Sequence, residues 1–270
     1  MVVVYLTMVD YSKIHHDLIK FGYYTGTFSD FYNHDTGFTE HDMRSAADLL
    51  LETEKNIEKV YVYRHNFIEQ HTKNYLNNKN YTGPIPGPEE ELQEVSYDNI
   101  NKRKQFILDA QAGGADIRTT QQWYRLSIAA FDDIDPSISA TYYKIDNVFA
   151  NLFRTWAEKI YPEYHGQRDK IRCASQYSIY KQGDFSEIHF DGINPGRAFV
   201  IIMYFADPAT YHKDSGGELR IVDSHVDIKV KPLYGNYAML DFSKWNIGHS
   251  IELVKGDFVR FALQSFVGIF

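Results

Sequence analysis

The residues best suited to chemistry lie in "EIHFDGINPG", residues 187–196, where His189 and Asp191 stand two apart before a Gly/Pro turn. Strand side chains alternate faces with period two, so an imidazole and a carboxylate at this spacing point the same way. Such a pair can supply two metal ligands or form a buried hydrogen-bonded couple. The spacing alone does not choose, because His-x-Asp recurs at His15/Asp17, His212/Asp214 and His225/Asp227. His15 stands in a helical or turn stretch ahead of the strands, His212 in the polar turn "YHKDSGGEL", and His225 just after the turn "VDSH". Those contexts suit solvated or structural roles. His189 differs because His249 begins another strand further on, which a folded-back sheet can return beside the first. Two imidazoles and one carboxylate on one face of an octahedral ion leave three adjacent positions open.

A second unusual residue is Arg260, inside the apolar stretch "FVRFALQSFV". Burying an unpaired guanidinium is costly, so it needs an anionic partner. A ligand carboxylate held through two parallel hydrogen bonds would serve, and so would a protein carboxylate in a structural salt bridge.

These residues must be positioned by elements of two different kinds. Residues 1–170 read mainly as helix. Thr39 and Asp42 resemble a capping box ahead of Met43, Ala46, Ala47 and Leu50, and helical spacing continues through Ile57, Val60 and Phe67. A helix is expected over 99–112, stopped by Gly113-Gly114, and another over 136–160. In the latter, Asp135 can cap, Pro136 suits the first turn, Pro162 ends the run, and Ile138, Tyr142, Ile145, Phe149, Leu152, Trp156 and Ile160 line one face. Residues 77–95, rich in Pro, Gly and acid, form a long loop, either a lid or a connector. From 171 to 270 the pattern changes to short strands, expected at about 172–180, 185–191, 197–206, 217–222, 226–231, 236–242, 249–254 and 257–267. Strands at this spacing suggest a jelly roll. The expected class is therefore α+β, a double-stranded β-helix in the C-terminal half flanked by N-terminal helices.

Composition excludes several functions. A net charge of -8 argues against wholesale nucleic-acid binding. Cys173 is the one cysteine, which rules out an internal disulfide and a Cys-based zinc site and fits a reducing compartment. The start "MVVVYLTMVD" lacks a basic leader and reads as a first strand, and no apolar run approaches the ~20 residues of a membrane helix. A cytoplasmic protein is expected, and with the last strand ending near Phe270 a monomer is plausible.

From about Tyr177 to Phe266, "YKQGDFSEIHFDGINPGRAFVIIMYF", "GGELRIV" and "GNYAMLDFSKWNIGHSIELVKGDFVRF" follow in an order that resembles the catalytic core of 2-oxoglutarate/Fe(II)-dependent dioxygenases, within them the prolyl 4-hydroxylase-like branch. The resemblance implies that His189, Asp191 and His249 bind Fe(II), that Arg260 binds the distal carboxylate of 2-oxoglutarate, and that the Tyr180 hydroxyl helps to hold it. Collagen-type members carry Lys where this chain has Arg260. Arg197, Gly216-Gly217 and Glu218 match family positions of less certain role. The family's chemistry joins one oxygen atom of O2 to a C–H carbon and releases succinate and CO2, commonly with L-ascorbate as reductant. The substrate implied is a peptidyl proline, the alternative a free amino acid or small metabolite. Arg197, Trp245, Trp123, Tyr124 and the 77–95 loop are candidates to face it. A jelly-roll binding module with satisfied core His and Asp is the reading from another class.

Overall fold

The computed structural model describes residues 9–30, 38–55, 62–66, 121–126, 136–182, 184–189, 193–222 and 226–269, with the backbone alone for 50–55, 62–66, 121–126, 136–142 and 187–189. The expected N-terminal strand, the 99–112 helix, the 77–95 loop, Asp135, Asp191 and His225 lie outside the described residues.

Strands form wherever the C-terminal half was read as strand: β4 (Arg172–Tyr180), β5 (Phe185–His189), β6 (Arg197–Tyr204), β7 (Leu219–Val222), β8 (Asp227–Val230), β9 (Asn236–Leu240), β10 (Gly248–Ile251) and β11 (Arg260–Gly268). They pair antiparallel into two layers. One runs β9-β6-β11-β4 and the other β5-β10-β7-β8, the connectivity of a jelly roll. β6 is buried almost throughout, as expected of a run without alternation, and β8 alternates between exposed and covered.

The first half contributes more strand than its sequence suggests. β1 (Tyr23–Thr27) extends the larger layer by pairing with β9. β3 (Gln121–Leu126) pairs with both β4 and β5, joining the two layers, and β2 (Val62–Asn66) pairs with β3. The expectation that the helix beginning near Thr39 runs to Phe67 is corrected by β2. Its residues, VYRHN, carry β-branched and aromatic side chains that suit a pleated surface, and pairing with β3 outweighs the continued helical spacing. Trp123 and Tyr124 are placed in β3 by its backbone register, opposite His65 and Arg64.

Among the described residues, α1 (Tyr11–Phe21) and α3 (Pro136–Ile160) cover the larger layer, and α2 (Glu40–Lys55) packs against α3. The capping box forms, with Thr39 N and Oγ1 donating to Asp42 Oδ2 at 2.8 and 2.7 Å while Asp42 N donates back to Thr39 Oγ1. On α3 the stripe Ile145, Phe149, Leu152, Trp156 and Ile160 is buried against Phe199, Ile201, Met203 and Leu263. That uses one face of the larger layer. Its other face, with Tyr180, Val200, Ile202, Tyr204, Ala238, Leu240 and Ala262, meets Leu219, Ile221, Val230 and Ile251 of the smaller layer. Any functional space between the layers is therefore lined by alternate residues, such as Arg260, Ala262, Gln264 and Phe266 on β11. No helix among the described residues is long and apolar enough to cross a membrane.

Candidate active site

The antiparallel register sets the first element of the site. Position 249 on β10 is the direct cross-strand partner of position 189 on β5, although the two are far apart in sequence. Directly opposed residues share a face of the sheet. Ile221, the partner of His249 on β7, belongs to the cluster between the layers, so this face looks inward. His249 is 4% exposed. Its Nδ1 donates to the Ile247 carbonyl at 3.3 Å, and a ring protonated at Nδ1 presents the Nε2 lone pair to a metal. Among the described residues no three potential metal ligands cluster, and the His189 side chain and Asp191 lie outside that set.

Two loops meet beside His249. Asp241 is fully buried and accepts from Ser243 N at 2.7 Å, Ser243 Oγ at 2.5 Å and Tyr161 Oη at 3.3 Å. These bonds close the turn after β9. Burial raises the Asp241 pKa although the Ser243 bonds pull it down. The next residue, Phe242, sets its ring 5.6 Å from the His249 ring, while its carbonyl accepts from Asn194 N at 2.8 Å. The segment that follows Asp191 is thus tied to the loop that precedes His249.

Across the interior stands Arg260, only 1% exposed. It is opposite Tyr180 on β4, and Tyr204 is the β6 partner of the adjacent inward residue Ala262. The guanidinium lies 4.7 Å from the Tyr180 ring centre and 5.0 Å from that of Tyr204. Its Nε donates to the Gly217 carbonyl at 2.8 Å, and its Nη2 is buried with no hydrogen-bond partner. None of the described carboxylates forms an ion pair with it. The salt-bridge reading of Arg260 therefore finds no partner among the described residues, and the orphaned Nη2 matches a ligand carboxylate. Burial raises the Tyr204 pKa to about 12 and lifts Tyr180 further, with Arg260 opposing both shifts, so both hydroxyls stay protonated donors at neutral pH.

The Gly217 carbonyl is aimed by a backbone that only glycine tolerates. Gly216 and Gly217 have φ of 70 and 77°, and a Cβ on Gly216 would come within 1.9 Å of the Leu253 carbonyl oxygen. Next to them Glu218 accepts from Tyr211 Oη at 2.6 Å. Arg197 begins β6 with its guanidinium 4.5 Å from the Phe266 ring centre, on the inward face nearer solvent. Trp245 is half-buried against Gly22 at the end of α1, where a Cβ would lie 2.8 Å from its Cγ. His212 is exposed, and His15 stacks edge-on against Tyr161 at 5.6 Å. The sequence reading missed Tyr204, Asp241 and Phe242. The available signal for Tyr204 was one hydroxyl in the otherwise apolar "RAFVIIMYFA".

With this geometry in hand, the sequence profile of the 2OG-Fe(II) oxygenase superfamily matches residues 175–268. Members of that superfamily use Fe(II) and 2-oxoglutarate, as its name states. No curated protein matches the chain in sequence. The chain shares its fold with a Pseudomonas putida prolyl-4-hydroxylase, at 13% identity and a TM-score of 0.52 over 96% of this chain and 98% of that one. A Burkholderia pseudomallei oxidoreductase of the 2OG-Fe(II) oxygenase family is similar at 11% identity and a TM-score of 0.48, over 96% and 91% of the two chains.

Proposed function

We propose that the chain is a 2-oxoglutarate-dependent dioxygenase that hydroxylates an unactivated C–H bond of a peptidyl proline, with residues 171–270 as the catalytic core and 1–170 packed upon it. The observation that carries the site assignment is Arg260, buried between two tyrosines with Nη2 unpartnered. His189, Asp191 and His249 would hold Fe(II). Arg260 would grip the distal carboxylate of 2-oxoglutarate, with the Tyr180 and Tyr204 hydroxyls beside it. Bound there, the two cofactors supply the oxidation: O2 and 2-oxoglutarate give succinate and CO2, and one oxygen atom enters the substrate C–H bond.

The chain's own contribution is placement and exclusion of water. The Ile247 carbonyl holds the His249 ring in one tautomer, and the Gly217 carbonyl holds the guanidinium fork in one plane. Leu219, Ile221, Ile202 and Ala262 surround the space with apolar surface, which strengthens each polar contact inside it. Arg197, over Phe266 toward the open end, has a buried Nη1 without a partner and would donate to a substrate carbonyl. The choice of peptidyl proline draws on the Pseudomonas putida prolyl-4-hydroxylase whose fold the chain shares.

Anaerobic titration of the protein with Fe(II) and 2-oxoglutarate tests the site through the visible metal-to-ligand charge-transfer band. Incubation in air with proline-containing peptides then reads the substrate as a mass gain of one oxygen. A band with no oxygen added to any prolyl peptide would retain the site and discard the substrate.

A further inference from the structure

Between the deep guanidinium and solvent, the inward wall carries a pair of amides. Gln176 on β4 and Gln264 on β11 are direct cross-strand partners, and Gln176 Nε2 donates to Gln264 Oε1 at 2.6 Å. Both lie on the inward face. Gln264 alternates with Ala262 and Phe266, and its β6 partner is Ile202 of the cluster between the layers. The exposure along these strands shows where the space opens. Tyr180, Ser178, Arg260 and Ala262 are buried, Gln176, Gln264 and Phe266 half-buried, and Ala174 exposed. At a strand rise of about 3.4 Å per residue, the amide pair stands roughly 14 Å along the wall from Arg260. That is past the short chain of a 2-oxoglutarate held there, on the path by which a substrate enters.

Resting on the site reading above, we infer that Gln176 and Gln264 form a substrate subsite that recognises a C(=O)–NH group adjoining the reacting carbon. One donor and one acceptor of the pair are spent on each other. Among the described residues, the remaining Gln264 Nε2 and Gln176 Oε1 form no other side-chain hydrogen bond. An outward donor beside an outward acceptor is the complement of an amide. Exchanging O and N in both side chains leaves the same pattern, so the inference does not depend on which way the amides are turned. A carboxylate has no hydrogen to give to the outward acceptor, and an ester lacks it too. The neighbouring inward surface, Ile202, Val200, Ala238 and the Phe266 ring, is apolar, so a mismatched polar group there loses water without compensation. The pair is not needed to align its strands, since β4 and β11 are paired along their whole length by backbone. The substrate class selected is therefore an amide-linked residue within a peptide, or a capped amide, and a free amino acid is disfavoured.

The test uses the full chain loaded anaerobically with Fe(II) and 2-oxoglutarate. N-acetyl-L-proline N-methylamide, its methyl ester and free L-proline are titrated, and the shift of the charge-transfer band gives each dissociation constant. The wild type is expected to bind the amide about tenfold or more tighter than the ester. In the Gln176→Met/Gln264→Met double variant that ratio falls to near one, and Gln264→Glu alone lowers it too. Equal binding of amide and ester, an amide preference that survives both variants, or no shift with any amide would overturn the subsite. Absence of the band from the wild type before any of the three compounds is added would instead sink the cofactor site itself, a distinguishable failure.

Discussion

Arg260→Met separates a ligand-binding guanidinium from a structural one. In the free protein this charge is 1% exposed, with Nε donating to the Gly217 carbonyl and Nη2 unpartnered. Met fills similar space without a charge. It forfeits two cation–π contacts worth about 0.5–2 kcal/mol each, and removes a desolvation cost of the same order or larger. The unliganded melting temperature should therefore stay within a few degrees of wild type. The ligand response should not. Hydrogen bonds to a charged group contribute about 1.5–3 kcal/mol each, so loss of a two-pronged grip weakens 2-oxoglutarate about a hundredfold or more. At a concentration a hundred times the wild-type dissociation constant, binding stabilises the wild type by about 2.7 kcal/mol and the variant by only ~0.4 kcal/mol. For a domain of this size the first is a rise of roughly 5–10 °C and the second about 1 °C. Differential scanning fluorimetry with Fe(II) under nitrogen, with and without 2-oxoglutarate, reads both numbers. Were Arg260 the partner of a buried carboxylate, its truncation would cost about 3–5 kcal/mol whether or not ligand is present. A melting point that drops by around 10 °C while the ligand shift remains full would refute the reasoning.

Further outcomes follow from the same geometry. Gly216→Ala puts a Cβ into the Leu253 carbonyl at positive φ, so a melting-point loss of several degrees is expected together with weaker 2-oxoglutarate binding, because the Gly217 carbonyl that steers Arg260 moves with it. Asp241→Asn keeps Oδ1 for the two Ser243 bonds but replaces the buried Oδ2 that accepts from Tyr161 Oη with an NH2 donor, and should cost about 1–3 kcal/mol by chemical denaturation while weakening Fe(II) binding through the Phe242 contact with His249. Burial pushes the Cys173 thiol up to about 12, above its ordinary value, so the folded protein stabilises the protonated form. Its contribution to stability is present below the unfolded pKa and is lost as pH rises toward 12, and a disulfide reagent at pH 8 should label Cys173 only after denaturation.

How much of this was legible in the chain depends on whether a residue acts through its own type or through a partner distant in sequence. The strands after 171 could be read because apolar runs and Gly/Pro turns are local signals, and Arg260 stood out because a guanidinium in "FVRFALQSFV" contradicts its surroundings. β1 and β3 carried no such signal. Five or six residues of Tyr, Thr, Gln and Trp become strands only when the exposed edges of β9, β4 and β5 offer them hydrogen bonds. The same holds within the site. Tyr204 and Gln264 differ little in sequence from residues that only fill space; their importance lies in facing inward at positions fixed by register against β11 and β4. A shift of one residue in that register would carry Arg260, Gln264 and Phe266 to the helix-covered face and Phe261, Leu263 and Ser265 to the interior. The apolar stripe of α3 makes that shift prohibitively costly, since it packs on Leu263 and its neighbours. The helices of the first half thereby bear on the chemistry without touching it: by burying one face of β11 they fix which residues the other face presents to the ligand.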